Sequence, residues 1–231
     1  MKAIVLAGGL GTRLSSIVSG TPKPMAKVGT RPFLEYLLDY LVEQGVEQAV
    51  LAVSHQWEVI REHFDDSYRG ISLKYSVEDK PLGTGGAIRQ ALEKIPDDEL
   101  IVLNGDTLFH IDLAALASTH HAGNVHLTIA LKHVADCGRF GRVKISDQGV
   151  ITEFMEKSTD GPGWINGGIY MLNRRLLSEY QLPVKFSFEQ DLVEPNVSSI
   201  CPVAFQSGAY FIDMGVPEDY ERAQSEIGCA K

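Results

Sequence analysis

A glycine-rich turn that ends in an arginine follows the first apolar run of the chain. The segment GGLGTR (residues 8–13) comes directly after KAIVLA (residues 2–7). Glycines at the end of a strand let backbone N–H groups approach a phosphate closely, and a guanidinium can bind two phosphate oxygens at once. The turn therefore predicts a phosphate-binding site, with an ordinary strand-to-helix turn as the alternative. It has neither the Gly-Lys-Ser/Thr of a Walker A loop nor the spacing of a dinucleotide fingerprint.

A lysine held between two prolines comes next, in TPKPM (residues 21–25). Because proline restricts the backbone φ angle, the segment is stiff, and aiming the Lys23 ammonium costs less conformational entropy. A solvated surface lysine is the commoner case. Here the lysine follows a candidate phosphate-binding turn, so we interpret it as a second cation for a phosphate substrate.

Together, LAGGLGTRL and TPKPM resemble the signature of the sugar-1-phosphate nucleotidyltransferases. Later segments resemble the same family in the same order: PLGTGGA (81–87), LNGD (103–106), FG (140–141), EK (156–157), NGGIY (166–170) and DMGVPEDY (213–220). The resemblance spans nearly the whole chain. It implies that an oxygen of a sugar 1-phosphate attacks the α-phosphorus of a nucleoside triphosphate and that pyrophosphate leaves. Such a reaction depends mainly on positioning and charge neutralisation.

The resemblance also implies one Mg²⁺ ion held by two aspartates, Asp106 and Asp213. Mg²⁺ prefers carboxylate oxygens, and phosphates and water complete its coordination. Asp106 follows a strand, at the end where open α/β sheets bind ligands. Arg13 is implied to neutralise the triphosphate and the leaving pyrophosphate, and Lys23 to approach the α-phosphate. The implied catalytic residues are thus Arg13, Lys23, Asp106 and Asp213.

Two larger groups of residues take their expected roles from the resemblance. The nucleotide-binding group is Leu6, Ala7, Gly8, Gly9, Gly11, Thr12, Arg13, Glu78, Pro81, Gly83, Thr84, Gly85, Asn104 and Gly105. The sugar-phosphate-binding group is Gly141, Glu156, Lys157, Asn166, Gly167, Lys185 and Glu189. Within the second group, Glu156 is implied to accept hydrogen bonds from sugar hydroxyls and Lys157 to meet the sugar phosphate. The amide of Asn166 can both donate to and accept from a hydroxyl.

Base specificity depends on an acidic turn ahead of the PLGTGG loop. A carboxylate at Glu78 or Asp79 could accept the N1–H and N2–H groups of guanine, a pair of donors that uracil, thymine and cytosine do not present. The alternative is that both residues are exposed turn acids. The segments RFGRVKI, WINGGIYML, KFSFEQD and YFIDMGVPEDY resemble the D-glycero-α-D-manno-heptose 1-phosphate guanylyltransferases of the family, which implies GTP and that heptose 1-phosphate as substrates.

Other substrates and other classes of protein stay open at this point. Within the family, the alternatives are UTP with N-acetylmuramate 1-phosphate and GTP with mannose 1-phosphate. Outside this activity, the alternatives are a nucleotide-sugar sensor that kept the fold without the chemistry, and a Rossmann oxidoreductase.

The elements that must position these residues alternate along the chain. KAIVLA, QAVLAV (48–53), ISLKYSV (71–77) and LIVL (100–103) are strand-like, and helix-period segments lie at 33–44, 56–64, 84–94 and 113–120. This alternation predicts a mostly parallel mixed sheet with helices on both faces, a Rossmann-like α/β fold that the resemblance implies is GT-A-like. Strand-like segments at 125–131, 143–145, 150–154, 165–172, 203–206 and 210–213 predict a small antiparallel substrate subregion, and a helix is expected at 217–227. We expect a single domain over residues 1–231, with a nucleotide-binding half at 1–110 and a sugar-phosphate-binding half at 111–231.

Composition is typical of a soluble globular chain and suggests one local anion site. The 231 residues carry a net charge of −9, yet residues 1–34 hold five basic residues and no acid. The acidic balance argues against a nucleic-acid surface, and no apolar run approaches the ~20 residues that span a bilayer. Three widely spaced cysteines favour a reducing compartment, so we expect a cytoplasmic protein that binds neither nucleic acid nor membrane. Whether identical subunits assemble is left open by the sequence.

Overall fold

A computed structural model describes residues 1–9, 21–155 and 160–228 of the chain. The strands are β1 (Lys2–Leu6), β2 (Lys27–Val28), β3 (Arg31–Pro32), β4 (Gln48–Val53), β5 (Ser67–Tyr68), β6 (Ile71–Val77), β7 (Glu99–Asn104), β8 (Thr107–Phe109), β9 (Leu127–Val134), β10 (Val143–Ile145), β11 (Ile151–Phe154), β12 (Gly163–Asn173), β13 (Val203–Ser207) and β14 (Phe211–Asp213). The α-helices are α1 (Phe33–Glu43), α2 (Trp57–Phe64), α3 (Gly83–Ala91), α4 (Leu113–Gly123), α5 (Arg175–Ser178), α6 (Val197–Ile200) and α7 (Pro217–Glu226). Short 3₁₀ turns lie at Lys23–Met25 and Leu92–Lys94, and a π-helical turn lies at Phe188–Val193.

The middle of the main sheet consists of parallel strands in the order β6-β4-β1-β7. The chain first adds β4 and β6 on one side of β1 and then returns to place β7 on its other side. The strand order therefore reverses beside β1, and open α/β sheets bind ligands at the carboxyl ends of the strands at such a point. The last residues of the two strands, Leu6 and Asn104, are register partners there.

Two apolar layers cover the two faces of this sheet. Alternate strand residues such as Val5 and Leu51 pack in the layer that includes α1, α2, α4 and α7, whereas Ile4 and Val50 pack in the layer that includes α3 and α5. Burial on both faces explains why the strands read as continuous apolar runs in the sequence.

The second half of the chain extends the sheet with antiparallel strands. The long strand β12 pairs with β7 on one side and with β9 and β10 on the other. Its register with β9 breaks between Asn166 and Tyr170, and Gly168 within this break has a φ angle of 73°. Such an irregularity changes the direction of nearby side chains, and glycine adopts positive φ without a steric penalty. Strands β8 and β14 form a small antiparallel sheet of their own.

The predicted α/β fold class is confirmed, and most predicted elements begin and end within about two residues of the observed ones. The helix expected at 84–94 ends at Ala91 and continues as a 3₁₀ turn. Strand β8 was missed, because it has only three residues and its partner strand lies about a hundred positions later in the chain. The division at residue 110 into a nucleotide-binding half and a sugar-phosphate-binding half stays a prediction. Among the residues described, no helix combines the length and apolar character needed to cross a membrane.

Candidate active site

The nucleotide cleft is the cavity at the carboxyl ends of β1 and β7, with a volume of about 480 Å³. Its described lining includes most of the residues that sequence reasoning assigned to the nucleotide, together with one metal aspartate: Leu6, Gly8, Gly9, Glu78, Pro81, Gly83, Thr84, Asn104 and Asp106. Ala52, Ala87 and Glu189 complete the wall. The fold therefore brings four separate segments of the first half to one cleft.

The sugar cleft is a neighbouring cavity of about 280 Å³. Its wall includes Gly141, Asn166, Gly167 and Glu189, which were assigned to the sugar phosphate, and Asp213. Asn104 and Glu189 line both clefts, so the two cavities meet at these side chains. A substrate in each would place its reacting end near this shared boundary.

The two aspartates predicted to hold a metal ion, Asp106 and Asp213, are brought together by the pairing of β8 with β14. Asp213 is the register partner of Thr107, and the backbone N–H of Met214 donates to the carbonyl oxygen of Asp106 at 2.8 Å. Burial and the neighbouring Asp106 carboxylate raise the pKa of Asp213 to about 6. A buried carboxylate whose ionisation is disfavoured in this way is stabilised by a nearby cation.

Lys23 supplies one such cation. Its Nζ atom donates to Oδ2 of Asp106, and its side chain is only 11% exposed. Within the described ranges no cluster of three or more His, Cys, Asp and Glu side chains could hold a metal ion. The residues present nevertheless fit Mg²⁺, because this ion commonly takes one or two protein carboxylates and draws its other ligands from phosphates and water.

Glu78 lies in the wall of the nucleotide cleft and is half-buried. Its Oε2 atom accepts a hydrogen bond from the backbone N–H of Leu82 at 2.8 Å, and burial raises the pKa of its carboxyl group. A Cβ atom at Gly8 would lie 3.1 Å from Oε1, so the glycine leaves room beside this oxygen. Asp79, the other candidate for reading the base, is exposed and lines only an outer groove.

Several predicted site residues support the cleft wall from behind. Ala7 is buried, and the N–H of Gly105 donates to the carbonyl oxygen of Leu6 at 3.0 Å, where an added Cβ would lie 2.7 Å from that oxygen. Gly85 packs in the same way against the ring of Phe186. Lys185 is exposed and is absent from the lining of both clefts. Gly11, Thr12, Arg13, Glu156 and Lys157 lie outside the described residues, and their roles stay predictions.

The packing of Gly85 predicts a stability defect in Gly85→Ala. The new Cβ would lie 2.0 Å from Cε2 of Phe186, so the ring or the helix must shift. Overpacking of this kind costs about 1–3 kcal/mol, so we expect the melting temperature to fall by several degrees. Gly208→Ala is the matched control, because a Cβ there meets nothing within 4 Å. Equal melting temperatures for the two variants would contradict this packing.

Acids from other segments neutralise part of the basic N-terminal stretch. Lys2 pairs with Asp97, and Arg31 pairs with Glu35 and Asp39. Because these two bases are engaged away from the cleft, the excess positive charge seen along the sequence is smaller at the site than the count suggests.

Sequence reasoning missed Tyr170 and Arg142, which both line the sugar cleft. The sequence did contain a signal for Tyr170. Tyr170 lies four positions after Asn166 in NGGIY, so the alternation of a strand places both residues on the same face. A tyrosine at that spacing can reach the predicted sugar-binding residue Asn166. Arg142 follows the FG turn, where nothing in its local pattern separated it from a surface arginine.

Comparison with known proteins gives the family. The family described as "Nucleotidyl transferase" matches residues 2–228 of the chain. The chain is 44% identical to the D-glycero-α-D-manno-heptose 1-phosphate guanylyltransferase of Aneurinibacillus thermoaerophilus, over 98% of both chains. It is 47% identical to the enzyme of the same name from Campylobacter jejuni, over 95% of this chain and 97% of that one.

The chain belongs to the nucleotidyl transferase family.

A solved structure agrees with this result. HddC from Yersinia pseudotuberculosis, complexed with GMP-PN, superposes with a TM-score of 0.86 at 35% identity, covering 97% of this chain and 98% of that one. The family match includes β1, β7 and β14, so the strands that carry both clefts belong to the family domain. The family resemblance that the sequence motifs indicated is therefore confirmed. The relatives include heptose 1-phosphate guanylyltransferases, the branch that the motifs also indicated.

Proposed function

We propose that this nucleotidyltransferase transfers GMP from GTP to D-glycero-α-D-manno-heptose 1-phosphate, releasing pyrophosphate and forming GDP-heptose for bacterial surface polysaccharide. The observation that carries the reaction type is the cluster of Asp106, Asp213 and Lys23 where two clefts meet. The choice of substrates rests on relatives of that name, 44% and 47% identical over nearly the whole chain.

In the proposed reaction, a phosphate oxygen of the sugar 1-phosphate forms a bond to the α-phosphorus of GTP. The bond from that phosphorus to the bridging oxygen of pyrophosphate breaks, and pyrophosphate leaves with the electron pair. Both reactants are anions, so the protein must hold them close and offset their repulsion. Lys23, beside Asp106, is placed to do so at the α-phosphate.

Asp106 and Asp213 are proposed to hold Mg²⁺, which would neutralise phosphate charge as it develops on the leaving group. The remaining catalytic assignment is Arg13 at the triphosphate. In the sugar site, Glu156 is proposed to accept hydrogen bonds from the sugar hydroxyls, and Lys157 to meet the sugar phosphate. Asp213 lines the sugar cleft and Asp106 lines the nucleotide cleft, so the two residues that would hold the ion come from the walls of both cavities.

Glu78 is proposed to read guanine. Its carboxylate is half-buried in the nucleotide cleft and forms no ion pair among the described residues. Burial raises the pKa of this carboxyl group, so its ionised form is stabilised by a ligand that brings N–H donors. The edge of guanine that carries N1–H and N2–H brings two. Asp79 lacks this burial, so Glu78 is the better candidate of the two.

A matrix of nucleotides and sugar phosphates tests the proposal. Four NTPs are combined with heptose, mannose, glucose and N-acetylmuramate 1-phosphates, and pyrophosphate release is measured with magnesium. We expect the highest kcat/KM for GTP with heptose 1-phosphate. Preference for UTP with N-acetylmuramate 1-phosphate, or for mannose 1-phosphate, would replace the substrate assignment. Tight nucleotide binding without turnover would favour the sensor alternative.

Cellular location follows as a smaller proposal. Cys137 and Cys201 are free thiols, which agrees with a reducing compartment, so we propose that the enzyme works in the cytoplasm.

A further inference from the structure

A carboxylate at the boundary of the two clefts links them by hydrogen bonds. Glu189 accepts from the Thr84 hydroxyl at 3.0 Å through Oε2 and from the Tyr170 hydroxyl at 2.7 Å through Oε1. Thr84 lines the nucleotide cleft, Tyr170 lines the sugar cleft, and Glu189 lines both. Each of its oxygens therefore faces a different substrate site.

The same chain of contacts continues to Asn166 on the sugar side. The Nδ2 atom of Asn166 donates to the Tyr170 hydroxyl at 2.9 Å, and its Oδ1 atom accepts from the N–H of Gly168 at 2.9 Å. These two partners set the amide in one orientation. One N–H and one oxygen lone pair are left for a sugar hydroxyl.

The segment that carries Glu189 is attached to the nucleotide loop. The N–H of Phe188 donates to the Thr84 hydroxyl at 2.8 Å, and the N–H of Gly85 donates to the carbonyl oxygen of Phe186 at 3.0 Å. The segment that carries Glu189 and the loop that carries Thr84 are therefore tied together at these two points.

Burial increases the energetic contribution of these hydrogen bonds. Tyr170 is fully buried, and burial together with the Glu189 carboxylate raises its pKa well above the usual value, so its hydroxyl stays protonated and donates. Within the described ranges Glu189 forms no ion pair, so hydroxyl donors stabilise its charge. Glu189 is half-buried, so removing one donor from its carboxylate costs more than the loss of an exposed hydrogen bond.

We propose that Tyr170 and Glu189 are positioning residues that couple the two clefts, so that bound nucleotide raises the affinity for the sugar phosphate and the reverse. The proposal rests on the proposed function, since it takes GTP and heptose 1-phosphate as the two ligands. A nucleotide that fixes Thr84 fixes Glu189, and through Tyr170 it fixes the Asn166 amide before the sugar arrives. Coupling between two binding sites is reciprocal and commonly corresponds to about 5–150-fold in affinity.

Tyr170→Phe tests the coupling, because it removes one hydroxyl and keeps the ring. Calorimetry gives the dissociation constant of heptose 1-phosphate alone and with saturating α,β-methylene-GTP, whose α–β bridge cannot be cleaved. In the unchanged protein we expect the analogue to tighten sugar phosphate binding by about fivefold or more. In Tyr170→Phe we expect less than about a twofold effect, with the affinity for the analogue alone unchanged.

Tyr40→Phe is the matched control. Its hydroxyl is also buried and donates to the carbonyl oxygen of Ile111 at 2.9 Å, in the opposite apolar layer. Tyr40→Phe should keep the full coupling.

A second pair of variants tests the contact between Thr84 and Glu189 on the nucleotide side. Thr84→Val should lose the coupling, and Thr84→Ser, which keeps the hydroxyl, should retain it.

The outcomes separate this inference from the proposed function. Undiminished coupling in Tyr170→Phe, or an active enzyme without any coupling, would overturn the role of the Tyr170–Glu189 pair. Failure of the unchanged protein to bind heptose 1-phosphate or the GTP analogue, with no turnover of this pair, would overturn the substrate assignment instead.

Discussion

Turnover is expected to fall by about 10³-fold or more when either aspartate of the Asp106–Asp213 pair is replaced by asparagine. The pair is expected to hold the cation that offsets phosphate charge, a contribution of several kcal/mol, and each 1.36 kcal/mol corresponds to a factor of ten. Asparagine keeps the size of the side chain and removes the negative charge. The measurement is the initial rate of pyrophosphate release as a function of magnesium concentration.

Stability measurements distinguish this loss of activity from misfolding. In the absence of metal, Asp213→Asn removes a charge that burial and Asp106 disfavour, so its melting temperature should equal or exceed that of the unchanged protein. Asp147→Asn, at an exposed turn position, is the control for a generic loss of one negative charge and should keep full activity. Magnesium-dependent turnover at the normal rate in either aspartate variant would show that the metal is held elsewhere.

The second large effect is expected for Glu78→Gln, in which kcat/KM for GTP falls on the order of 10²-fold. Hydrogen bonds to a charged group contribute about 1.5–3 kcal/mol, and glutamine presents an N–H₂ group to a base edge that itself donates. Inosine triphosphate, which lacks the N2 amino group, separates base reading from other effects. The unchanged enzyme should prefer GTP over ITP, and the variant should lose that preference.

Asp79→Asn is the matched control, because Asp79 is the adjacent carboxylate and is exposed. It should keep the GTP preference; the reverse pattern would move base recognition from Glu78 to Asp79. The folded-state pKa of Glu78 is raised by burial, so its ionised form lowers stability above that pKa and the penalty disappears as the pH falls through it. At pH 8 the variant should therefore melt no earlier than the unchanged protein.

Much of the fold was predictable from local pattern. Strands β1, β4, β6 and β7 are apolar runs bounded by turn residues, and helices such as α1 carry an apolar face that ends before Gly45. Burial on both sheet faces leaves a strong periodic signal of this kind. The small strand β8 left no such signal, because three residues define no period and its stability comes from pairing with β14.

The candidate site was predictable where a motif carries it. Asp106 follows the apolar strand β7, and Glu78 precedes a glycine-rich loop that contains Thr84. The structure places all three residues in one cleft. Side-chain chemistry alone allowed either Glu78 or Asp79 to read guanine, and the family resemblance assigned Glu78. The structure separates the two acids by burial, because Glu78 is half-buried beside Gly8 and Asp79 is exposed.

By itself, the sequence determined the family, the α/β fold class and most of the residues that line the nucleotide cleft. Only the tertiary structure decided how these residues act together. It paired Lys2 with Asp97, aligned Asp213 beside Asp106 and joined Thr84 to Tyr170 through Glu189. The physical reason is the distance along the chain over which each effect acts. Periodicity and turn chemistry act over a few neighbouring residues, whereas these contacts join residues far apart in the chain and exist only once the sheet has formed.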